Sequence, residues 1–135
     1  EEAVQLDPEN TSLYLNIGVM YKNEDNIEEA IKNFEKVIEL DPTNSNAYNN
    51  IGATILDKTK PIQEEMNKSL SDFDKYDKLL NQQKGVYKEA LPYYEKAFEL
   101  DNSNVSVVQI LVGIYENLEM TDKLKDMKAV YETLK

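Results

Sequence analysis

Two stretches dense in aspartate and asparagine, residues 41–50 and 101–104, hold the side chains best suited to chemistry in this chain, and the chemistry they suggest is calcium binding. A calcium loop needs oxygen ligands at alternating places, a central glycine for its sharp turn and a glutamate at its close. Neither stretch supplies that glycine or that glutamate, since twelve-residue windows opened at Asp41 and Asp101 end at Gly52 and Val112. Caps and turns explain these residues better, because short polar side chains satisfy the amides that a helix start leaves unpaired. Other routes to catalysis are narrow. The chain has no His, Cys or Arg, so the usual nucleophile–base pairs are missing and zinc has almost no ligands. A non-enzymatic chain without metal or other cofactor is expected.

Composition narrows the partners. Of the 135 residues 26 are acidic and 15 basic, every base is lysine, and the net charge is −11. An acidic surface without the planar guanidinium fork repels a polyanion, which argues against nucleic acid. No apolar run approaches the roughly 18 residues of a membrane span, so membrane insertion is not expected. Residues 1–58 carry −8, residues 59–84 carry five acids and five lysines, and residues 85–135 carry −3. Acid pairs such as Glu28-Glu29 fit a solvated first helical turn; attraction of a basic partner is the functional alternative. Three Asn-Xaa-Ser triplets (opening at Asn10, Asn67 and Asn104) match a glycosylation pattern that chance alone produces in so Asn-rich a chain.

The elements that must position any site repeat at a spacing of 34. Leu6-Asp7-Pro8 returns as Leu40-Asp41-Pro42, and Tyr14-x-x-Ile17-Gly18 returns as Tyr48-x-x-Ile51-Gly52. A fixed period of this length marks stacked units, each too small to bury its apolar face alone. Residues 11–24 place Leu13, Tyr14, Ile17, Met20 and Tyr21 at helical spacing, with Asn10 and Thr11 as candidate caps. Residues 27–40 do the same with Ile27, Ala30, Ile31, Phe34, Val37, Ile38 and Leu40. Asp25-Asn26 separates the two helices, and Asp41-Pro42 stops the second.

These residues resemble the tetratricopeptide repeat, whose pattern runs W-x2-L-G-x2-Y, then A-x3-F, then P. In the unit 11–44 Tyr14 stands for the Trp, Ile17-Gly18 for Leu-Gly and Tyr21 for the Tyr, with Ala30, Phe34 and Pro42 completing it. Gly18 and Ala30 are small enough for neighbouring helices to approach closely, and the aromatics fill the space between. The fold expected is all-α, a short right-handed solenoid of αα-hairpins. Residues 1–10 read as the end of a preceding repeat, 11–44 as the first full unit, 45–104 as a second and 105–135 as a third with the C-terminal cap. An opening inside a repeat also implies that the chain is the later part of a longer protein.

The second unit is enlarged. Its closing half (Ala90, Tyr94, Ala97) arrives 26 residues late, and the extra residues, about 59–84, keep an apolar stripe through Ile62, Met66, Phe73, Tyr76 and Leu80. A disordered insertion would fit the length; the stripe argues against it. Folding the chain back at about residue 71 pairs Met66 with Tyr76, Ile62 with Leu80 and Ile55 with Tyr87. Both helices of the unit are therefore expected to lengthen into an antiparallel two-helix arm, capped at Ser71, with Pro61 kinking the outgoing helix and Pro92 bending the returning one. In the third unit Leu111 and Tyr115 keep the pattern, Gly113 falls one place late, and Thr121 is expected to cap the last helix. Tyr14, Tyr21, Tyr48, Tyr87, Tyr94 and Tyr115 fall on apolar repeat positions, whereas Tyr93 beside Pro92 is expected to be exposed.

The resemblance also implies a binding face. In this family the first helix of each unit lines a concave groove that holds a protein or peptide segment. The positions that match are Ser12, Leu15, Asn16, Val19 and Lys22 in the first unit, Asn46, Asn49, Asn50 and Ala53 in the second, and Ser106, Gln109 and Gly113 in the third. Their amides can donate to and accept from a partner backbone; the alternative is that they simply face solvent. Members that clamp a terminal carboxylate use Lys and Arg along this face, where Leu15, Val19, Ser106 and Ile110 stand here, so that activity is not expected. A spacer or self-association element, docking through the arm, is the second function implied. The arm and the segment 90–94 further resemble repeat proteins of bacterial cell envelopes, which implies a periplasmic location, with the cytoplasm as the alternative.

Overall fold

The computed structural model describes residues 10–135, which are helical and contain no strand. Seven helices follow one another: α1 (Thr11–Asn23), α2 (Ile27–Leu40), α3 (Ser45–Leu56), α4 (Thr59–Lys68), α5 (Phe73–Leu100), α6 (Val105–Asn117) and α7 (Thr121–Leu134). The expected preceding repeat end, residues 1–10, lies almost wholly outside the described residues.

Asparagines start these helices. The side chains of Asn10, Asn26, Asn44 and Asn104 accept from the amides of Leu13, Glu29, Ala47 and Val107 at 3.1–3.3 Å. Each satisfies one orphan donor of a first turn, a contact worth about 1 kcal/mol. The aspartates close the preceding turns. Asp41 Oδ1 accepts from the amide and hydroxyl of Thr43 at 3.1 and 2.7 Å, and Asp101 Oδ1 does the same with Ser103. Those two bonds from Ser103, the hydroxyl foremost, hold the Asp101 carboxyl below its ordinary value. The Asp/Asn-rich stretches are thus capping and turn machinery. Two expected caps are displaced by one residue: Asp72 rather than Ser71 accepts from the Lys75 amide, and Met120 rather than Thr121 stands at the start of α7, without a side-chain cap.

The hairpin turns obey one rule. Asp25 and Glu119 occupy the same place in their units, and both have a left-handed backbone, with φ of 59° and 56°. The residue after each, Asn26 or Met120, donates its amide to the carbonyl of Tyr21 or Tyr115 at 2.9 Å, which closes the helix end. The equivalent place in the second unit is Thr59, and there the chain does not turn back. Asp57 (φ −59°, ψ −23°) and Lys58 (φ −64°, ψ −19°) keep helical dihedrals, and Thr59 opens α4.

This outcome corrects one detail of the arm. The outgoing side is two helices, α3 and α4, interrupted at Asp57–Lys58, and not one lengthened helix. Pro61 is the physical cause: it has no amide for the Asp57 carbonyl, and its ring would clash with that oxygen. The interruption therefore falls one turn before the proline, which sits harmlessly in the first turn of α4. The returning side is the single 28-residue helix α5, about 42 Å at 1.5 Å per residue, and it continues through Pro92. The arm is antiparallel, with α4 packed on α5. Its register slides relative to the expected one, in which Glu65 faces residue 77, Gln63 faces 79 and Lys58 faces 84. The observed partners are Lys75 (3.5 Å), Gln83 (3.0 Å) and Glu89 (2.9 Å).

Elsewhere each helix packs on its neighbours in order: α1 on α2, α2 on α3, α3 on α5, α5 on α6 and α6 on α7. One core runs through them, built from Phe34, Ile51, Ile55, Tyr94, Leu111, Val107 and their neighbours. Glycine and aromatic positions interlock as the spacing implies. A methyl group built on Gly18 would lie 2.5 Å from the Phe34 ring, and one on Gly52 would lie 2.6 Å from the Tyr94 ring. Gly18 with Phe34 and Gly52 with Tyr94 are the same contact in successive units. Tyr14, Tyr94 and Tyr115 are buried, and Tyr21, Tyr48 and Tyr87 pack half-buried against the core. Tyr93 does so too, contrary to expectation, because α5 is flanked by both α3 and α6.

Candidate functional site

The twelve candidate groove positions divide by exposure. Ser12, Asn16, Asn46, Ser106 and Gln109 are exposed, while Leu15, Val19, Lys22, Asn49, Asn50, Ala53 and Gly113 are half-buried, and none is buried. On α1 they lie on the side opposite the buried set of Tyr14, Ile17 and Gly18. Leu15 and Val19 pack their inner atoms against the core, so the apolar part of this face is held rigidly. Gly113 has open space where a side chain would stand.

The asparagines fall into two classes. Those before helices have their side chains engaged, as described above. The side-chain amides of Asn16, Asn46, Asn49 and Asn50 make no hydrogen bond among the described residues. Asn49 and Asn50 are half-buried and Asn16 and Asn46 exposed, and each amide can both donate to and accept from an incoming backbone.

Two candidates are already committed within the chain. Lys22 reaches from α1 to Asp57 at 3.1 Å, with both side chains largely covered. Its ammonium acts as a tie between units before it acts on any partner. Gln109 donates to the Tyr131 hydroxyl at 3.3 Å, which draws α7 against α6. Spacing alone could not show either commitment, since Asp57 and Tyr131 come from other helices.

A second tie fixes the third unit. The Tyr115 hydroxyl donates to Glu95 Oε2 at 2.6 Å, and Lys123 Nζ reaches the same oxygen at 3.2 Å. Burial, and then the bond and charge of Glu95, push the Tyr115 hydroxyl far above its ordinary value, so it stays a donor. Helices α5, α6 and α7 are thereby joined at one polar node. The described residues contain no cluster of acidic, His or Cys side chains able to hold a metal ion, and no helix among them is long and apolar enough to cross a membrane.

Comparison with known proteins agrees with this architecture. Family models of the tetratricopeptide repeat match residues 12–44, 33–72 and 79–104. The middle match takes in α3 and α4, although it is α5 that packs on α3. No curated protein matches the chain. Among solved structures, MamA is 19% identical, with 98% of this chain and 82% of that one covered and a TM-score of 0.41. YrrB, a tetratricopeptide repeat protein with an unusual peptide-binding site, is 20% identical, with 98% and 73% covered and a TM-score of 0.38. PilF of Pseudomonas aeruginosa is 17% identical, with 98% and 64% covered and a TM-score of 0.39. The repeats of this family are protein–protein interaction scaffolds, in general without catalytic activity. With family models matching most of residues 12–104, and helices paired as that repeat requires, the chain belongs to the tetratricopeptide repeat family.

Proposed function

We propose that this chain is a non-enzymatic scaffold that holds an extended or helical segment of a partner protein along the face formed by α1, α3 and α6. The observation that carries it is the set of unengaged amides: Asn16, Asn46, Asn49 and Asn50 bond nothing among the described residues, beside the rigid apolar atoms of Leu15 and Val19. Such a surface supplies backbone hydrogen bonds for affinity and small apolar contacts for register. The test is capture from an extract of the native host, comparing the parent with a Leu15→Glu, Asn49→Ala, Asn50→Ala variant that circular dichroism shows to be folded. The parent is expected to retain a partner that the variant loses; equal capture by both contradicts the proposal.

One observation favours a second reading, docking or self-association through the arm. Leu70 and Phe73, on either side of the arm's turn, are 68% and 80% exposed. If the arm self-associates, the mass measured by sedimentation equilibrium rises with concentration, and Phe73→Lys returns it to that of a monomer. A constant monomer mass rejects self-association.

A further inference from the structure

The base of the arm and α2 border a hollow. Two adjoining cavities of about 510 and 500 Å³ share Ile27 and Lys58 as lining residues and run between α2 and the base of the arm. One wall is the outer side of α2, where Ile27 and Ile31 lie one turn apart. The other is the α3–α4 junction with the first turns of α4, and Pro61 adds a third apolar surface. Lys60, Pro61 and Glu64 belong to the extra residues of the second unit and complete the second wall.

The charges around this hollow are unbalanced in a particular way. All three lysines on it are already paired: Lys32 with Glu29, Lys58 with Glu89 and Lys60 with Asp57. Four carboxylates on it, those of Asp25, Glu28, Glu35 and Glu64, have no ion-pair partner among the described residues. An apolar floor ringed by unmatched negative charge attracts a ligand with the complementary pattern, and low-dielectric walls strengthen that attraction. A cavity of this size accepts one or two apolar side chains, not a folded domain.

We infer that the cleft at the base of the arm is a second docking site, separate from the face along α1, α3 and α6, and that it takes a basic partner segment. An apolar side chain of that segment sits on Ile27, Ile31 and Pro61, while Lys or Arg residues on either side of it meet Glu28, Glu35, Asp25 and Glu64. The net charge of the whole chain, −11, also draws any cation weakly to its surface, so the test must separate the cleft from that background.

The probe is a fluorescent, end-blocked twelve-residue peptide of alternating Lys and Leu, titrated by anisotropy at low and moderate salt. Its companion carries Glu in place of every Lys. The cleft variant is Glu28→Lys, Glu35→Lys. A charge-matched reference is Glu39→Lys, Glu99→Lys, at two exposed positions away from the cleft, and the third variant is Leu15→Glu, Asn49→Ala, Asn50→Ala. The basic peptide is expected to bind the parent, the reference and the third variant alike. It is expected to bind the cleft variant about tenfold more weakly, a difference on the order of two exposed ion pairs turned into repulsions. The acidic peptide is expected not to bind. Equal weakening by the cleft and reference variants would reduce the attraction to net charge and overturn the inference. Loss of binding in the third variant alone would overturn it too and move the basic segment to the face along α1, α3 and α6. Capture that persists in the cleft variant's extract while this titration fails leaves the proposed scaffold function standing, so the two failures are distinguishable.

Discussion

Gly52→Val is expected to destabilise the protein by about 1–3 kcal/mol, the range for forcing extra atoms into a filled core. The reason is geometric. The first carbon added at Gly52 meets three atoms of the Tyr94 ring at 2.6–2.9 Å. That ring is fully buried and wedged between helices, so it cannot swing aside. Valine adds two further methyl groups to the same space. The contrasting case is Gly85, exposed in the middle of α5 with nothing within 4 Å of an added carbon. Gly85→Ala should raise stability by about 0.5–1 kcal/mol, because alanine loses less backbone freedom in a helix. Urea denaturation of the two variants and the parent checks both signs. A Gly52→Val protein as stable as the parent would mean that the aromatic ring does not occupy the glycine notch, and the pairing of the two helices within a unit would need another basis.

The second large effect concerns Tyr94 itself, where two substitutions separate the ring from its hydroxyl. Tyr94→Ala removes the ring that fills the space over Gly52 and is expected to cost about 3–5 kcal/mol, as for other buried aromatics. Tyr94→Phe keeps the ring and deletes a hydroxyl that is buried without a hydrogen-bond partner. An unsatisfied buried group carries a penalty of about 1–3 kcal/mol, so this variant should equal or exceed the parent. The first unit already contains the experiment, since Phe34 occupies the same notch against Gly18. Alkaline titration gives an independent readout. Burial, with the charge of Asp57 adding to it, raises the Tyr94 hydroxyl far above its ordinary value near 10. The folded chain then keeps its proton while the unfolded chain loses it. The sign follows: stability is unaffected below about pH 10 and falls above it, by up to about 1.4 kcal/mol per pH unit for this group. Tyr94→Phe should lessen that decline, and Tyr115, raised in the same direction, should account for part of what remains.

Much of the fold is legible in the residues because the repeat forces the same solution twice. Gly18 and Gly52, Phe34 and Tyr94, Asn44 and Asn104 each recur at the same place, and a glycine facing an aromatic leaves few other ways to pack. Legibility ends where the outcome depends on neighbours distant in sequence. Nothing local distinguishes Asp25 and Glu119, which take left-handed turns, from Thr59, which does not. The difference is the apolar stripe through Ile62, Met66, Tyr76 and Leu80, whose burial favours going on over turning back. The one-residue displacement of two caps reflects a choice between adjacent residues, Ser71 or Asp72 and Met120 or Thr121, that the backbone makes.

The candidate face was legible in part. The residue types along α1, α3 and α6 follow from the repeat, but the diversion of Lys22 to Asp57 and of Gln109 to Tyr131 needed the spatial neighbours. The cleft beside the arm had no signal in the sequence at all. Ile27 and Ile31 read as ordinary core positions, and Glu28 and Glu35 as solvated helix surface. Their shared setting needs the facing wall that the α3–α4 junction and α4 supply.

The central claim is that partner segments lie along α1, α3 and α6, and site-specific photo-cross-linking in the native host tests it most directly. A benzophenone side chain would be placed in turn at Asn46 and Ser106, on that face, and at Glu39 and Lys128, exposed positions outside it. The expected result is a discrete protein adduct from Asn46 and Ser106 and none from Glu39 or Lys128. Adducts formed only from the two outer positions, with Asn46 and Ser106 unreactive, would contradict it.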